Sequence, residues 1–171
     1  MSCILTISGR NFDVDNFVDK SKLQPYRKSY KGQPKLKTNP DSEKLLRSSI
    51  SIETSKADFD NLKKQVADTI RYLKRNKEKL SHVATTKGVD NAILDFGIDL
   101  RIDKKKVLTQ SDTFPNELLK LPGDLGLDIE LSIYPVDMEM ILEKQSTKAK
   151  QKSVVNSFCR SNMRKFFFVS F

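Results

Sequence analysis

This chain has no tryptophan, a single histidine, and only two cysteines in 171 residues, and each scarcity removes a class of function. Cys3 and Cys159 stand near opposite ends and form no CxxC pair. Neither a disulfide framework nor a cysteine-ligated zinc is encoded, and a reducing cytoplasm is the expected home. His82 lacks a second His or Cys at metal spacing, and no GxSxG nucleophile accompanies it. A triad with Cys159 would require a distant cysteine to fold back, so His82 is read as a surface residue at a helix end. No apolar run approaches the roughly 20 residues of a membrane span. Residues 1–8 lack the basic start of a signal peptide and read as a strand. There is no Walker motif and no GxGxxG. Asp95-Phe96-Gly97 spells the magnesium tripeptide of protein kinases, but it sits inside an amphipathic strand without the accompanying loops. No catalytic residue, metal site or cofactor is expected.

Acids are also absent from one region. The net charge of +9 suggests nucleic acid until it is mapped. No Asp or Glu follows Glu143, whereas Lys144, Lys148, Lys150, Lys152, Arg160, Arg164 and Lys165 do, leaving residues 1–143 at +2. The basicity therefore belongs to a tail, and the body lacks the evenly basic face of a DNA-binding fold. Residues 1–143 are expected to form a single domain. Residues 144–171 are expected to be disordered or loosely attached, because their polar runs offer little apolar surface to offset ordering entropy.

What is present is periodicity. Ala92, Leu94, Phe96, Ile98, Leu100 and Ile102 alternate with Ile93, Asp95, Gly97, Asp99, Arg101 and Asp103, a mostly charged face. Leu127, Ile129, Leu131 and Ile133 alternate with Asp128, Glu130, Ser132 and Tyr134. Such strands belong to a sheet covered on one face and wet on the other. Cys3, Leu5 and Ile7 give a first strand, and Leu46, Ser48, Ile50 and Ile52 a second. Asp13 or Asp15 can cap a short helix through Phe17 and Val18. Ser55-Lys56-Ala57-Asp58 resembles a capping box before a stripe of Phe59, Leu62, Val66, Ile70 and Leu73. Thr113-Phe114-Pro115 opens a third helix with Leu118, Leu119 and Leu121 inward, ended by Pro122-Gly123. Residues 24–42 show no pattern and read as a long irregular loop. The expected fold is α+β: a two-layer sandwich of a mainly antiparallel sheet of about four strands, helices on one face, in the order β-α-β-α-β-α-β.

Two surfaces are candidates for function. Asp95, Asp99 and Asp103 share the polar face of the long strand with Arg101. Acids four apart on a strand lie roughly 13 Å from one another, too far for a glycosidase pair or one metal. They therefore read as a solvated face or a surface for a basic protein partner. Asp128 and Glu130, about 7 Å apart by the same spacing, could serve an inverting mechanism only under a cleft. The second candidate is the basic loop 25–37. Its Arg27, Lys28, Tyr30, Lys31, Lys35 and Lys37 could neutralise phosphates and stack on bases of single-stranded nucleic acid, with the tail assisting.

The element order and two local patterns resemble a family of uncharacterised bacterial domains of unknown function. One pattern is the first strand followed by Gly9, Asp13-Val14-Asp15, Leu23-Gln24-Pro25 and Lys31-Gly32. The other runs from Phe114-Pro115-Asn116-Glu117-Leu118-Leu119-Lys120-Leu121 into Leu125-Gly126-Leu127 and on to Tyr134. The resemblance covers roughly residues 2–135. It implies no catalytic residues. It implies a small bacterial protein, some relatives of which accompany toxin cassettes as presumed immunity proteins. The expected function is thus a non-enzymatic, cytoplasmic, protein-binding domain of immunity type, with single-stranded nucleic-acid binding as the alternative.

Overall fold

In the computed structural model, residues 3–102 and 106–135 are described. The expectations for Asp103 and for residues 144–171 lie outside them. The centre of the fold is β1 (Cys3–Gly9), whose alternate residues Cys3, Leu5 and Ile7 are fully buried. β1 is flanked on both sides by antiparallel partners, β3 (Ser48–Ser55) and β4 (Asn91–Asp99). Leu5 thereby lies between Ile52 and Leu94, and Ile7 between Ile50 and Ala92. β2 (Arg27–Ser29) pairs antiparallel with β3, and β5 (Asp128–Tyr134) runs parallel to β4. The sheet order is β2-β3-β1-β4-β5.

The helices pack on the face of Leu5, Ile50, Leu94 and Phe96. α1 (Val14–Ser21) is capped by Asp13, whose side chain accepts from the Asn16 amide, and it buries Phe17 edge-on to Phe12. α2 (Leu62–Arg75) lays Leu62, Gln65, Val66, Thr69 and Leu73 inward. Single turns α3 (Lys77–Leu80) and α4 (His82–Thr85) follow, burying Leu80 and Val83, with His82 exposed at a helix start. α5 (Asn116–Asp124) buries Leu118. The loops at one end of the sheet interlock: Gly88, at φ +87°, approaches Gly9 and Asn11 so closely that a Cβ on Gly9 would collide with the Gly88 carbonyl.

The α+β class is as expected, but the sheet is not. It has five strands among the described residues and is mixed, because the connection carrying α5 returns β5 parallel to β4. Side-chain alternation reports which face is covered; it is silent on strand direction. The order also gains β2 within the stretch expected to be irregular. There, residues 27–45 form a hairpin arm held by backbone bonds from Gly32 to Leu45, Lys35 to Glu43 and Leu45 to Gln33, each 2.8 Å. Its polar side chains hide that pairing from any hydrophobic pattern.

Other boundaries shift for local reasons. Leu46 is 72% exposed, and β3 begins only at Ser48. β4 ends at Asp99, where β5 also ends; beyond it the Leu100 amide donates to Tyr134 and Arg101 turns away. α2 is capped by Asn61, which accepts from Lys64, rather than by Ser55, which still belongs to β3 and accepts from the Ala57 amide. Phe59 therefore lies outside the helix. Leu119 faces solvent, and α5 continues through Pro122 in its last turn.

Candidate functional site

The sheet face turned away from α1, α2 and α5 carries no helix among the described residues, and strand register sets out its chemistry in rows. Glu53, Ile4, Asp95 and Glu130 are successive neighbours across β3, β1, β4 and β5. The next row is Arg27, Ser51, Thr6, Ile93 and Asp128, from one edge of the sheet to the other. In the opposite direction Gly97 adjoins Ser132, and Asp99 adjoins Tyr134. The face therefore gathers Glu53, Asp95, Asp99, Asp128 and Glu130, concentrated on β4 and β5. Glu53 has Lys56 at 3.7 Å. For the other four, no ion pair is formed among the described residues. The Asp95 Oδ1 is buried and has no hydrogen-bond partner there. Asp95 and Glu130 on adjacent strands are like charges side by side, an arrangement that costs stability unless a cation intervenes.

Above Gly97 lies an aromatic pair. The Phe59 and Tyr134 rings are 5.1 Å apart and inclined by 31°, and a Cβ at Gly97 would meet the Phe59 ring at 2.4 Å and Tyr134 at 3.2 Å. The Phe59 carbonyl accepts from the Asp99 amide, and Gln65 donates to the carbonyls of Gly97 and Asp58, at 2.8 and 3.0 Å. Glycine at position 97 is thus what lets an aromatic ring rest on the sheet.

Of the four residues proposed for the acidic face, Asp95 and Asp99 lie on it, beside Asp128 and Glu130 of the neighbouring strand. Arg101 does not. Its amide donates to Gln110 Oε1 at 2.9 Å and its guanidinium pairs with Asp112, whose side chain is only 12% exposed. Arg101 and Asp112 help line a separate cleft of about 570 Å³ with Leu62, Val66 and Pro115. Asp103 is outside the described residues.

The basic-loop residues divide between faces. Arg27 lies on the acidic face at the β2 edge, opposite Ser51. Lys28 and Tyr30 instead reach α1: the ammonium is 2.8 Å from Asp15 Oδ1, and the phenol donates to the same carboxylate at 3.1 Å. These two donors hold Asp15 below the ordinary carboxylate range. The salt bridge raises Lys28, and desolvation followed by the Asp15 bond raises Tyr30. Lys35 pairs with Glu43 at 2.7 Å, while Lys31 and Lys37 are exposed. Cys3 is enclosed under the helices, and burial pushes its thiol up to about 11, which makes it a poor nucleophile. Among the described residues no three His, Cys, Asp or Glu side chains come together as a metal would require.

Sequence reasoning found the acids of β4 but not their setting. Glu53 and Phe59 join the face only through register and through the chain crossing above Gly97. The one available signal was Gly97 itself, a glycine inside a strand, which marks a close approach.

Residues 1–136 match the family model described as Domain of unknown function (DUF4279). The chain belongs to this family. The match ends just past Tyr134, so it takes in every strand and helix of the DUF4279 sheet described above. No curated protein and no solved structure matches the chain. No helix among the described residues is long and apolar enough to cross a membrane.

Proposed function

We propose that this DUF4279 domain acts by binding another protein through the sheet face that carries no helix among the described residues, as a non-catalytic, immunity-type neutraliser of a bacterial toxin. The observation that carries the reading is the cluster of Asp95, Asp99, Asp128 and Glu130 on adjacent strands with no cation paired to them among the described residues. A rigid sheet that holds like charges together is suited to meeting a basic partner, with charge complementarity setting encounter rate and specificity. The immunity role comes from the family resemblance alone and is an analogy. A reducing cytoplasm suits the reading, since Cys3 is a free thiol in the core.

The alternative, single-stranded nucleic-acid binding through residues 25–37, has weaker support. Lys28, Tyr30 and Lys35, which should meet phosphate or base, are engaged by Asp15 and Glu43.

The test is affinity capture from the native host with the wild-type chain and with an Asp95→Lys/Glu130→Lys variant of unchanged circular dichroism. A partner of basic surface, retained by the wild type and lost by the variant, is the expected result. Recovery of no protein partner, together with robust turnover in substrate screening, would overturn the proposal.

A further inference from the structure

We infer that the acidic face contains a seat for arginine side chains, built by Phe59, Tyr134, Asp99, Asp95 and Glu130, which receives an extended arginine-bearing segment of the partner. The inference rests on the protein-binding reading above and names the chemistry of what is bound. Three rungs on β4 and β5 define the seat: Asp95 beside Glu130, Gly97 beside Ser132, and Asp99 beside Tyr134. Successive rungs on one face are about 7 Å apart. The middle rung has almost no side chain, and the Phe59–Tyr134 pair covers it. Both rings remain open to solvent, Phe59 at 36% and Tyr134 at 45%. Carboxylates therefore flank an accessible aromatic surface along the strand.

A cation resting on that surface gains from the electron-rich ring faces and from the carboxylates on either side. Asp95 strengthens the second contribution, because its Oδ1 lacks both solvent and a partner among the described residues. Arginine fits better than lysine. Its planar guanidinium can lie on a ring while its edge donates two parallel hydrogen bonds to a carboxylate, whereas an ammonium is a strongly hydrated point charge. An extended segment places alternate side chains on one face at the same rise per residue as the rungs, so arginines four apart, about 13 Å, match Asp99 and Asp95/Glu130 in turn, with the residue midway between them over the aromatic pair. Ion pairing alone would not discriminate between the two cations; the aromatic pair does.

The experiment is a nuclear magnetic resonance titration of the full chain with three capped peptides: Gly-Arg-Gly-Gly-Gly-Arg-Gly, its lysine counterpart, and its citrulline counterpart. The expected result is amide perturbation centred on Gly97 and Ser132, with the arginine peptide about two- to five-fold tighter than the lysine peptide and citrulline silent. Tyr134→Leu should abolish the preference, and Tyr134→Phe should retain it. Equal affinity for arginine and lysine, perturbations elsewhere, or citrulline binding as well as arginine would each overturn the seat. Concentration-dependent shifts of the same amides without peptide would assign the face to a second copy and also overturn it. If the captured partner is lost on Glu130→Lys while arginine and lysine peptides bind alike, the seat fails and the protein-binding reading stands. If neither partner nor peptide binds, both fail.

Discussion

A methyl group on Gly97 would sit 2.4 Å from the Phe59 ring, and the backbone there has no room to yield, being paired to β5 and bonded to Gln65. Gly97→Ala should therefore expel the ring and destabilise the domain by about 1–3 kcal/mol, read from urea denaturation. In a Phe59→Ala background the same substitution should cost less, since the clashing ring is gone; equal costs would show that the ring is not the obstacle. Asp15 offers a pH signature. Its folded pKa lies below the ordinary 3.8 because Lys28 and Tyr30 donate to it. The associated stability is thus fully present above pH 3.8 and disappears as pH falls through the folded value. The carboxylate is largely exposed, so the effect is small and screened by salt. Wild type and Asp15→Asn should differ above pH 3.8 at low ionic strength and converge below it; a gap that widens on acidification would refute the assignment.

At the scale of elements, hydrophobic alternation made β1, β3, β4 and β5 legible, and the three-and-four spacing of Leu62, Val66 and Leu73 made α2 legible. Polar residues with structural duties were not. Gln65 and Thr69 complete the buried stripe of α2 because their side chains have specific partners, two carbonyls for Gln65 and the Thr54 hydroxyl at 2.9 Å for Thr69. No pattern of hydropathy announces such a partner. The start of α2 was misplaced for a similar reason, since both Ser55 and Asn61 carry the right chemistry and only the path of the chain decides between them. Asn61→Ala should cost about 1 kcal/mol through loss of the cap on Lys64. Asp58→Ala, which removes a carboxylate but leaves the backbone carbonyl that Gln65 uses, should stay within about 0.5 kcal/mol. Equilibrium denaturation of the two variants separates these cap positions.

For the sheet as a whole, the apolar, helix-packed face and the polar face could be read from sequence, while strand order could not. Nothing in Leu127, Ile129, Leu131 and Ile133 says that β5 should lie parallel beside β4 at the sheet edge, and nothing in Arg27-Lys28-Ser29 announces an opposite edge. The candidate site was visible as acids on one strand; its assembly from β3, β4, β5 and the Phe59 crossing required the register. Hydrogen exchange should follow the same architecture. Amides of β1, with partners on both sides, should be the slowest of the domain, and those of β2 and the outward half of β5 among the fastest. Protection in β2 equal to that in β1 would contradict this sheet order.

The place of β1 also governs how the protein can come into being. Of the strands of this sheet, the first to leave the ribosome is its middle one, and one of that strand's two neighbours is β4, synthesised long after. A nascent chain that has reached Ser55 has β1 and β3 but leaves the other side of β1 unpaired, with Leu5 and Ile7 lacking the cover of α2. Folding must therefore wait until most of the domain has emerged, because its defining contacts join distant parts of the sequence. During that interval an apolar strand with a free edge is exposed. The domain's vulnerability in the cell lies in its synthesis, and at that stage chaperone engagement of β1 should be strongest.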